Sequence, residues 1–276
     1  MSAATVAVIA RHELRIVLRN RWIALYAAVF AGLTFAVSYF GLVLIEFTGF
    51  QEFHRTAVSL LNLVLYLVPL AAMLMAVQSF RPEGGATEQL FAEPVTAGEI
   101  VLGKFAGLSA AHTLAIVGGF SFTGVLIALK VGTRGLSSYL VLIGFSSLVG
   151  LAFLAIASML AIATRRSTRT YAVVLVVWFL SVLIFDLLII GLSFVLPHAW
   201  ANRAALAGAF LNPVDATRVA TLLAVAGKEV FGAAGAQLVR ALGGTTPAIV
   251  LLAAALAAWV VWPVAAAIRL LSRQDV

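Results

Sequence analysis

Four of the chain's eleven carboxylates lie in one short segment, residues 81–104, between two long apolar runs. Glycine and proline interrupt this segment, and only 11% of all residues are charged. A chain so poor in charge has little reason to collect carboxylates in one loop unless that loop contacts a partner. We therefore predict a docking segment whose chemistry is charge recognition. Its site residues are Glu83, Gly84, Gly85, Glu88, Glu93, Pro94, Glu99 and Lys104.

The end of this segment imitates a phosphate-binding loop. Residues 98–105 fit the pattern G-x-x-x-x-G-K-[ST] except at the last position, where Phe105 replaces the Ser or Thr that would hold Mg²⁺. No strand precedes it, and it leads directly into an apolar helix. We expect no nucleotide site here, so ATP and Mg²⁺ would be bound by another chain.

Other catalytic or metal chemistry is not indicated. The four histidines are scattered, cysteine is absent, and no His-x-x-x-His spacing occurs. The sequence also shows no pattern of residues that indicates a Ser-His-Asp or Cys-His catalytic arrangement. We predict no catalytic residue and no metal ligand in this chain.

The elements that must carry these groups follow from composition. Apolar residues make up 63% of the chain, which excludes an ordinary soluble domain. A bilayer core about 30 Å thick is crossed by a helix of about 20 apolar residues. The strands of a transmembrane β-barrel would alternate apolar and polar residues, whereas residues 173–184 form an apolar stretch without such alternation. We predict an all-α integral membrane protein, one domain over 1–276, with transmembrane helices at 22–45, 57–80, 105–129, 136–164, 171–196 and 248–268.

The distribution of Lys and Arg predicts the orientation. With the amino terminus in the cytoplasm, the inside segments carry eleven basic residues and the outside segments seven. The positive-inside rule then places both termini in the cytoplasm, with 81–104 inside and 197–247 outside. The net charge of +7 is explained by this basic face and by anionic membrane lipid, without a nucleic acid.

Residues 1–21 form an amphipathic pattern before the first span. Arg11, Arg15 and Arg19 recur at i, i+4 on one side, and apolar residues recur on another. We predict an interfacial helix, with its apolar face at the headgroup boundary; a basic anchor that only sets topology is the alternative. The apolar face comprises Val6, Ala10, Leu14 and Val17.

Small residues recur at i+4 along the first span. Such ladders let helix backbones approach closely in lipid, where packing drives association. We predict a helix–helix seam, within the subunit or between two copies. Its members are Ala24, Ala28, Gly32 and Ala36.

Two ionisable residues interrupt the spans, His112 and Asp186. Asp186 lies about 22 Å into the fifth span from its inner end, and His112 about 10 Å into the third, so a relay between them is not expected. A carboxylate in a span is costly unless it is paired. An outer arginine such as Arg218 would neutralise Asp186.

The outer segment 197–247 is too long for a simple connector. Its apolar patches are too short to span, and they flank Asn212-Pro213, a turn sequence, with Asp215 able to cap a following helix. We predict two short outer or re-entrant helices with a break between them. The predicted site residues at this break are Asn212, Pro213, Asp215 and Arg218.

These features together resemble a known family. The layout of spans, the lead helix, and Glu83-Gly84-Gly85 followed by Pro94-Val95 and Gly103-Lys104-Phe105 resemble the permease subunit of type-2 ABC exporters. Residues 178–187 and 212–218 further resemble the NosY-type permease of the nitrous-oxide reductase copper-maturation system. Ala86 and Thr217 depart from the family pattern, which usually has Thr and an aromatic residue there.

The resemblance implies a homodimer of permeases in the bacterial inner membrane, carrying two cytoplasmic ATPase subunits. It assigns 81–104 to the coupling of ATP hydrolysis and implies a periplasmic partner of β-helical fold. A generic ABC-2 exporter of a lipid, drug or peptide is the alternative. A secondary transporter would show internal repeats, and a membrane enzyme clustered ionisable groups; we find neither in the sequence.

Overall fold

The computed structural model describes residues 2–48, 52–80, 95–131, 136–164, 167–225, 227 and 239–273. Within these ranges the secondary structure is helical, without strands. A π-helical turn, Leu180–Ile184, joins the sixth helix to the seventh. The α-helices are α1 Ala3–Arg19, α2 Arg21–Thr48, α3 Glu52–Phe80, α4 Ala97–Val131, α5 Leu136–Ala163, α6 Ser167–Phe179, α7 Phe185–Val195, α8 His198–Leu211, α9 Pro213–Val225 and α10 Thr245–Ser272.

Six helical stretches of the described residues are long and apolar enough to cross a membrane, which confirms the all-α membrane fold. The fifth combines α6, the π turn and α7. All six coincide with the apolar runs of the sequence. They cover Arg21–Phe40, Val58–Phe80, Ala97–Val125, Ser137–Ala163, Ser167–Val195 and Thr245–Ser272.

The core lies along α3 and α5. Their facing residues, such as Val68 on α3 and Phe153 on α5, are fully buried among the other helices. Helices α6 and α7 and the π turn between them, residues 167–195, are called the α6–α7 rod. By contrast with the core helices, α2 and this rod carry large exposed apolar side chains, including Phe194. Lipid solvates such side chains, so this exposure is ordinary for spans at the rim of a bundle.

The helix that carries the third span begins at Ala97, two turns before the predicted start of that span at Phe105. Thr96 and Glu99 form a capping box: the Glu99 carboxylate accepts from the Thr96 N–H at 2.9 Å, and the Thr96 hydroxyl accepts from the Glu99 N–H at 3.3 Å. The predicted segment 81–104 is therefore helical from Ala97 onward. Residues 81–94 lie outside the described residues.

The amino-terminal helix has a protein partner that the sequence did not predict. The apolar face of α1, with Val6, Ala10, Leu14 and Val17, packs against α4, and its position at the headgroup boundary stays a prediction. Glycines on α4 permit this contact: a Cβ at Gly103 would lie 2.6 Å from the Ile9 Cβ. Apolar periodicity does not distinguish a protein partner from a lipid surface. The arginines of α1 remain exposed.

The predicted outer segment contains the two short helices that the sequence predicts, α8 and α9, with a break at Asn212. Asn212 caps α9, since its Oδ1 accepts from the Val214 N–H at 3.0 Å. Pro213 follows at the first helical position, which suits its fixed φ and missing N–H. Asp215, which we expected to be the cap, lies inside the helix and bonds to Arg218 instead.

Candidate functional site

A bidentate ion pair joins the fifth span to the short helix α9. Arg218 Nη1 donates to Asp186 Oδ1 and Arg218 Nη2 to Asp186 Oδ2, each at 2.7 Å. The side chains are 26% and 28% exposed, so the pair is partly shielded from solvent. Two parallel charge-assisted bonds fix both distance and orientation. The pair therefore holds α7 and α9 in one relative position.

Arg218 is shared with a second carboxylate. Its Nη1 also donates to Asp215 Oδ1 at 2.7 Å, and the Asp215 side chain is 13% exposed. Burial raises the pKa of Asp215 to about 7; Arg218 lowers it and Asp186 raises it further. Burial lowers the pKa of Arg218, but its bonds and the neighbouring carboxylates outweigh this and raise it. One permanent cation thus contacts two carboxylate side chains, and burial leaves the Asp215 carboxyl able to take a proton near neutral pH.

A second link joins span 5 to the start of α9, at a residue of span 5 that precedes Asp186 by more than one helical turn. Asn212 Nδ2 donates to the Ser181 carbonyl, inside the π turn, at 2.7 Å. π turns interrupt α-helices mostly as single turns and frequently at functional sites. Both ends of the Asn212 amide are thereby engaged, since its oxygen caps α9 and its nitrogen bonds to span 5. We call Ser181, Asp186, Asn212, Asp215 and Arg218 the outer unit, because the predicted orientation places this end of the bundle outside.

The remaining faces of α9 pack against other helices of the bundle. Ala216, Thr217 and Ala220 are fully buried, and α9 packs against α5 and α10. The break before α9 is held as well, since Trp259 Nε1 on α10 donates to the Phe210 carbonyl at 3.1 Å. Helix α9 therefore contacts span 5 on one side and the helices α5 and α10 on the others.

Comparison with known proteins identifies the scaffold. Residues 7–276 match the family described as "ABC-2 family transporter protein". This chain belongs to the ABC-2 transporter family. A relative named "Probable ABC transporter permease protein NosY" from Stutzerimonas stutzeri is 34% identical over 248 residues, 87% of either chain. One of the same name from Pseudomonas aeruginosa is 32% identical over 222 residues, 78% of this chain and 80% of that one.

Among the residues predicted for ATPase coupling in the permease, Glu83, Gly84, Gly85, Glu88, Glu93 and Pro94 lie outside the described residues. Glu99 and Lys104 are described, and both are buried. Glu99 accepts hydrogen bonds from the Thr96 and Ser2 N–H groups. Any part of these two in coupling would therefore act through this chain's own helices.

The partners of Lys104 define a cluster that sequence reasoning missed. Its Nζ lies 3.5 Å from Glu13 Oε2 on α1 and donates to the Ser79 carbonyl on α3 at 2.8 Å. The ammonium also lies 5.6 Å from the centre of the Phe80 ring. A lone acidic residue in the basic α1 was the signal that could have shown that Glu13 has an internal partner.

His112 and Asp186 lie in different surroundings, as the sequence predicts. The His112 ring is fully buried, parallel to Tyr26 with centroids 6.5 Å apart, and it rests on Gly150 of α5. Neither ring nitrogen has a hydrogen-bond partner among the described residues. His112 fills a gap between α2 and α5 that only a glycine leaves open. In the described ranges, no three His, Asp or Glu side chains come together as metal ligands.

The small-residue ladder of α2 faces outward. Ala24, Ala28 and Gly32 are exposed, Ala36 is half-buried, and a Cβ added at Gly32 would meet no atom within 4 Å. α4 instead packs against the neighbouring face of α2, where Phe30 contacts Gly119. Within the described part of the subunit the ladder is therefore not the packed seam, and a seam between two copies stays a prediction.

Proposed function

We propose that this permease transmits ATP hydrolysis, carried out by a separate cytoplasmic ATPase, to a periplasmic partner, and that it serves copper-site maturation of nitrous-oxide reductase. Two permease copies and two ATPase copies would form the complex, with ATP and Mg²⁺ bound by the ATPase. Relatives named NosY cover most of the chain, and the sequence resembles the NosY-type permeases of that system.

The outer unit is the observation on which the proposal depends. The α6–α7 rod begins at Ser167, within the predicted inner loop 165–170, and runs to the predicted outer end, where two separate links bind it to α9. An α-helix is a stiff element with about 1.5 Å rise per residue, so a displacement at its inner end is carried along its length. Because the Asp186–Arg218 bonds are bidentate, α9 must follow the rod.

Membrane vesicles containing the permease, its ATPase, the periplasmic partner and apo nitrous-oxide reductase provide the test. Asp186→Asn and Arg218→Gln should each reduce ATP-dependent copper loading without reducing permease abundance. Arg203→Gln is the control, since Arg203 on α8 contacts the Trp200 ring and takes no part in the outer unit. Normal copper loading in both outer-unit variants would contradict the proposal.

ATPase docking is tested separately. Reversing Glu88 and Glu93 to Lys should abolish co-purification of the ATPase, because the predicted docking segment would then repel a basic partner surface. The same reversal at Glu46 and Glu52, in the predicted outer segment 46–56, is the control for net charge. Unchanged recovery of the complex from equally abundant permease would show that 81–104 is not the docking segment.

An apolar cleft favours the alternative, export of a hydrophobic molecule. It lies between α2 and α3, encloses about 310 Å³ and is lined by Trp22, Tyr26, Leu74 and Met75 among others. Ligand pockets of roughly 300 Å³ or more accept small molecules. ATP-dependent flux of a fluorescent lipid in proteoliposomes, abolished by Leu74→Trp, would support export; absent flux alongside normal copper loading would exclude it.

A further inference from the structure

The inner end of the permease contains contacts between α1 and both flanks of the coupling segment. One flank is the last turn of α3, residues 77–80, immediately before that segment. The other is the first two turns of α4, residues 97–104. Three polar contacts and one close backbone approach connect α1 to these flanks.

The first contact lies at the end of α1. Asn20, the residue between α1 and α2, donates from Nδ2 to Gln78 Oε1 at 3.1 Å. Its Oδ1 accepts from the Trp22 N–H at 2.9 Å, so the same side chain also starts α2. The junction of α1 and α2 is thereby bound to the last turn of α3.

The second contact is the Glu13–Lys104 ion pair. The two residues are 4% and 6% exposed, and Lys104 also donates to the Ser79 carbonyl. A single ammonium thus bonds to α1 and α3 from its position on α4. Removing one member of a buried pair leaves an uncompensated charge, so the three helices are held in one arrangement.

The third contact lies at the start of α1, where the Ser2 N–H donates to the Glu99 carboxylate. Glu99 also closes the capping box that begins α4. The position of the amino terminus and the start of α4 are therefore fixed by the same side chain.

Backbone packing supports these polar contacts. Gly103 and Gly107 are one helical turn apart on α4 and face α1. A Cβ at Gly107 would lie 2.5 Å from the Ala10 carbonyl oxygen and 2.8 Å from the Glu13 Cβ. Small residues at this spacing let two helices approach at backbone distance. No side-chain rearrangement on α1 can make room there, because the obstacle at Gly107 includes main-chain atoms.

From these contacts we infer that α1 is a clamp on the coupling segment, holding its two flanks in a fixed relation so that α3 and α4 move together when the ATPase moves the segment. The role of α1 then exceeds that of a topological anchor. Lys104 is its central positioning residue. This inference rests on the proposed function for the source of the motion, but the clamp itself is a property of the permease alone.

The test uses distance measurements between spin labels, for which the cysteine-free chain needs no background substitutions. Labels at Val8 on α1 and Leu114 on α4 occupy exposed positions. In the permease without ATPase, the native chain should give one narrow distance distribution. Gly107→Ala and Glu13→Gln should each broaden it or shift it to longer distance. Gly118→Ala is the matched control on the same helix, since a Cβ there meets no atom within 4 Å.

A second measurement separates the clamp from a merely structural role. In the complex with ATPase, labels at Leu114 and Phe194 should report an ATP-dependent change at the outer end. Gly107→Ala and Glu13→Gln should keep ATPase binding and lose this change, whereas Gly118→Ala should keep both.

The outcomes are distinguishable. An unchanged Val8–Leu114 distribution in both α1-contact variants would overturn the clamp. A broadened distribution with an intact ATP-dependent change would reduce α1 to an anchor and overturn its part in transmission. If no ATPase binds the native permease, the proposed function fails, while the first measurement still decides whether α1 is held as described.

Discussion

Breaking the Asp186–Arg218 pair should lower the free energy of unfolding of the permease more when the arginine is replaced than when the aspartate is. Arg218→Gln leaves two carboxylates facing each other without a cation. Removing one member of a buried pair costs about 3–5 kcal/mol, and since about a quarter of each side chain is exposed we expect about 2–3 kcal/mol. Asp186→Asn should cost about 1 kcal/mol, because Arg218 keeps Asp215 and the new amide oxygen still accepts one bond.

The double variant decides whether the two residues act as a unit. If they do, Asp186→Asn with Arg218→Gln should be no less stable than Arg218→Gln alone, which gives a coupling energy of at least about 1 kcal/mol. The assay is equilibrium unfolding of the permease in mild-detergent micelles by added SDS, followed by tryptophan fluorescence. Additive losses, or an equal loss in the Arg203→Gln control, would refute the reasoning.

The pH dependence of Arg218→Gln provides an independent check. Without the guanidinium, the pKa of Asp215, already raised by burial to about 7, has lost the one contact that lowers it. A carboxyl group whose folded-state pKa is raised stabilises the fold while protonated, and this contribution is lost as the pH rises through the folded-state value. The destabilisation by Arg218→Gln should therefore be larger at about pH 8 than at about pH 5.5.

Two further predictions concern the spans. Gly150→Ala should destabilise the permease by about 1–3 kcal/mol, because the added methyl group overlaps the buried His112 ring. Gly144→Ala on the same helix should be near neutral, since its Cβ meets no atom within 4 Å. Equal unfolding midpoints for the two variants would contradict this prediction. Single cysteines along α2 should crosslink two permease copies with i+4 periodicity at Ala24, Ala28, Gly32 and Ala36; a flat profile, or a monomer by native mass in mild detergent, would count against a seam there.

Several features were predictable because each depends on a single strong physical term. The spans follow from apolar length, since an exposed backbone in lipid forces every such run into a helix. The break at Asn212-Pro213 follows from local turn chemistry. The pairing of Asp186 with Arg218, which the structure confirms, follows from depth and charge, since a carboxylate in a span requires a neutralising partner.

Other features depend on which surface a helix meets, and the sequence pattern is silent on that. The apolar face of α1 would read the same against lipid as against α4. The decisive signal is Gly103-x-x-x-Gly107, of which only Gly103 belongs to the apparent phosphate-binding pattern at 98–105. The Thr96-x-x-Glu99 capping box was equally visible and would have placed the start of α4 correctly. The π turn has no comparable signature, because its Ser181 carbonyl accepts a bond from Asn212, 31 residues further along the chain.

That π turn makes span 5 one residue longer than a regular helix joining the same two ends. A π turn accommodates an extra residue within an α-helix without rotating the parts on either side of it. Deleting Leu183 would therefore restore a continuous α-helix while keeping Trp178 and Asp186 on their present sides, each with its present partner. The carbonyl that receives the Asn212 amide would no longer be presented by a widened turn. Relatives with a one-residue gap at 180–184 should accordingly keep the acid–arginine pair and lose the bond from the asparagine amide to span 5, while the asparagine still caps α9. The length of span 5 therefore determines whether one link or two bind it to α9.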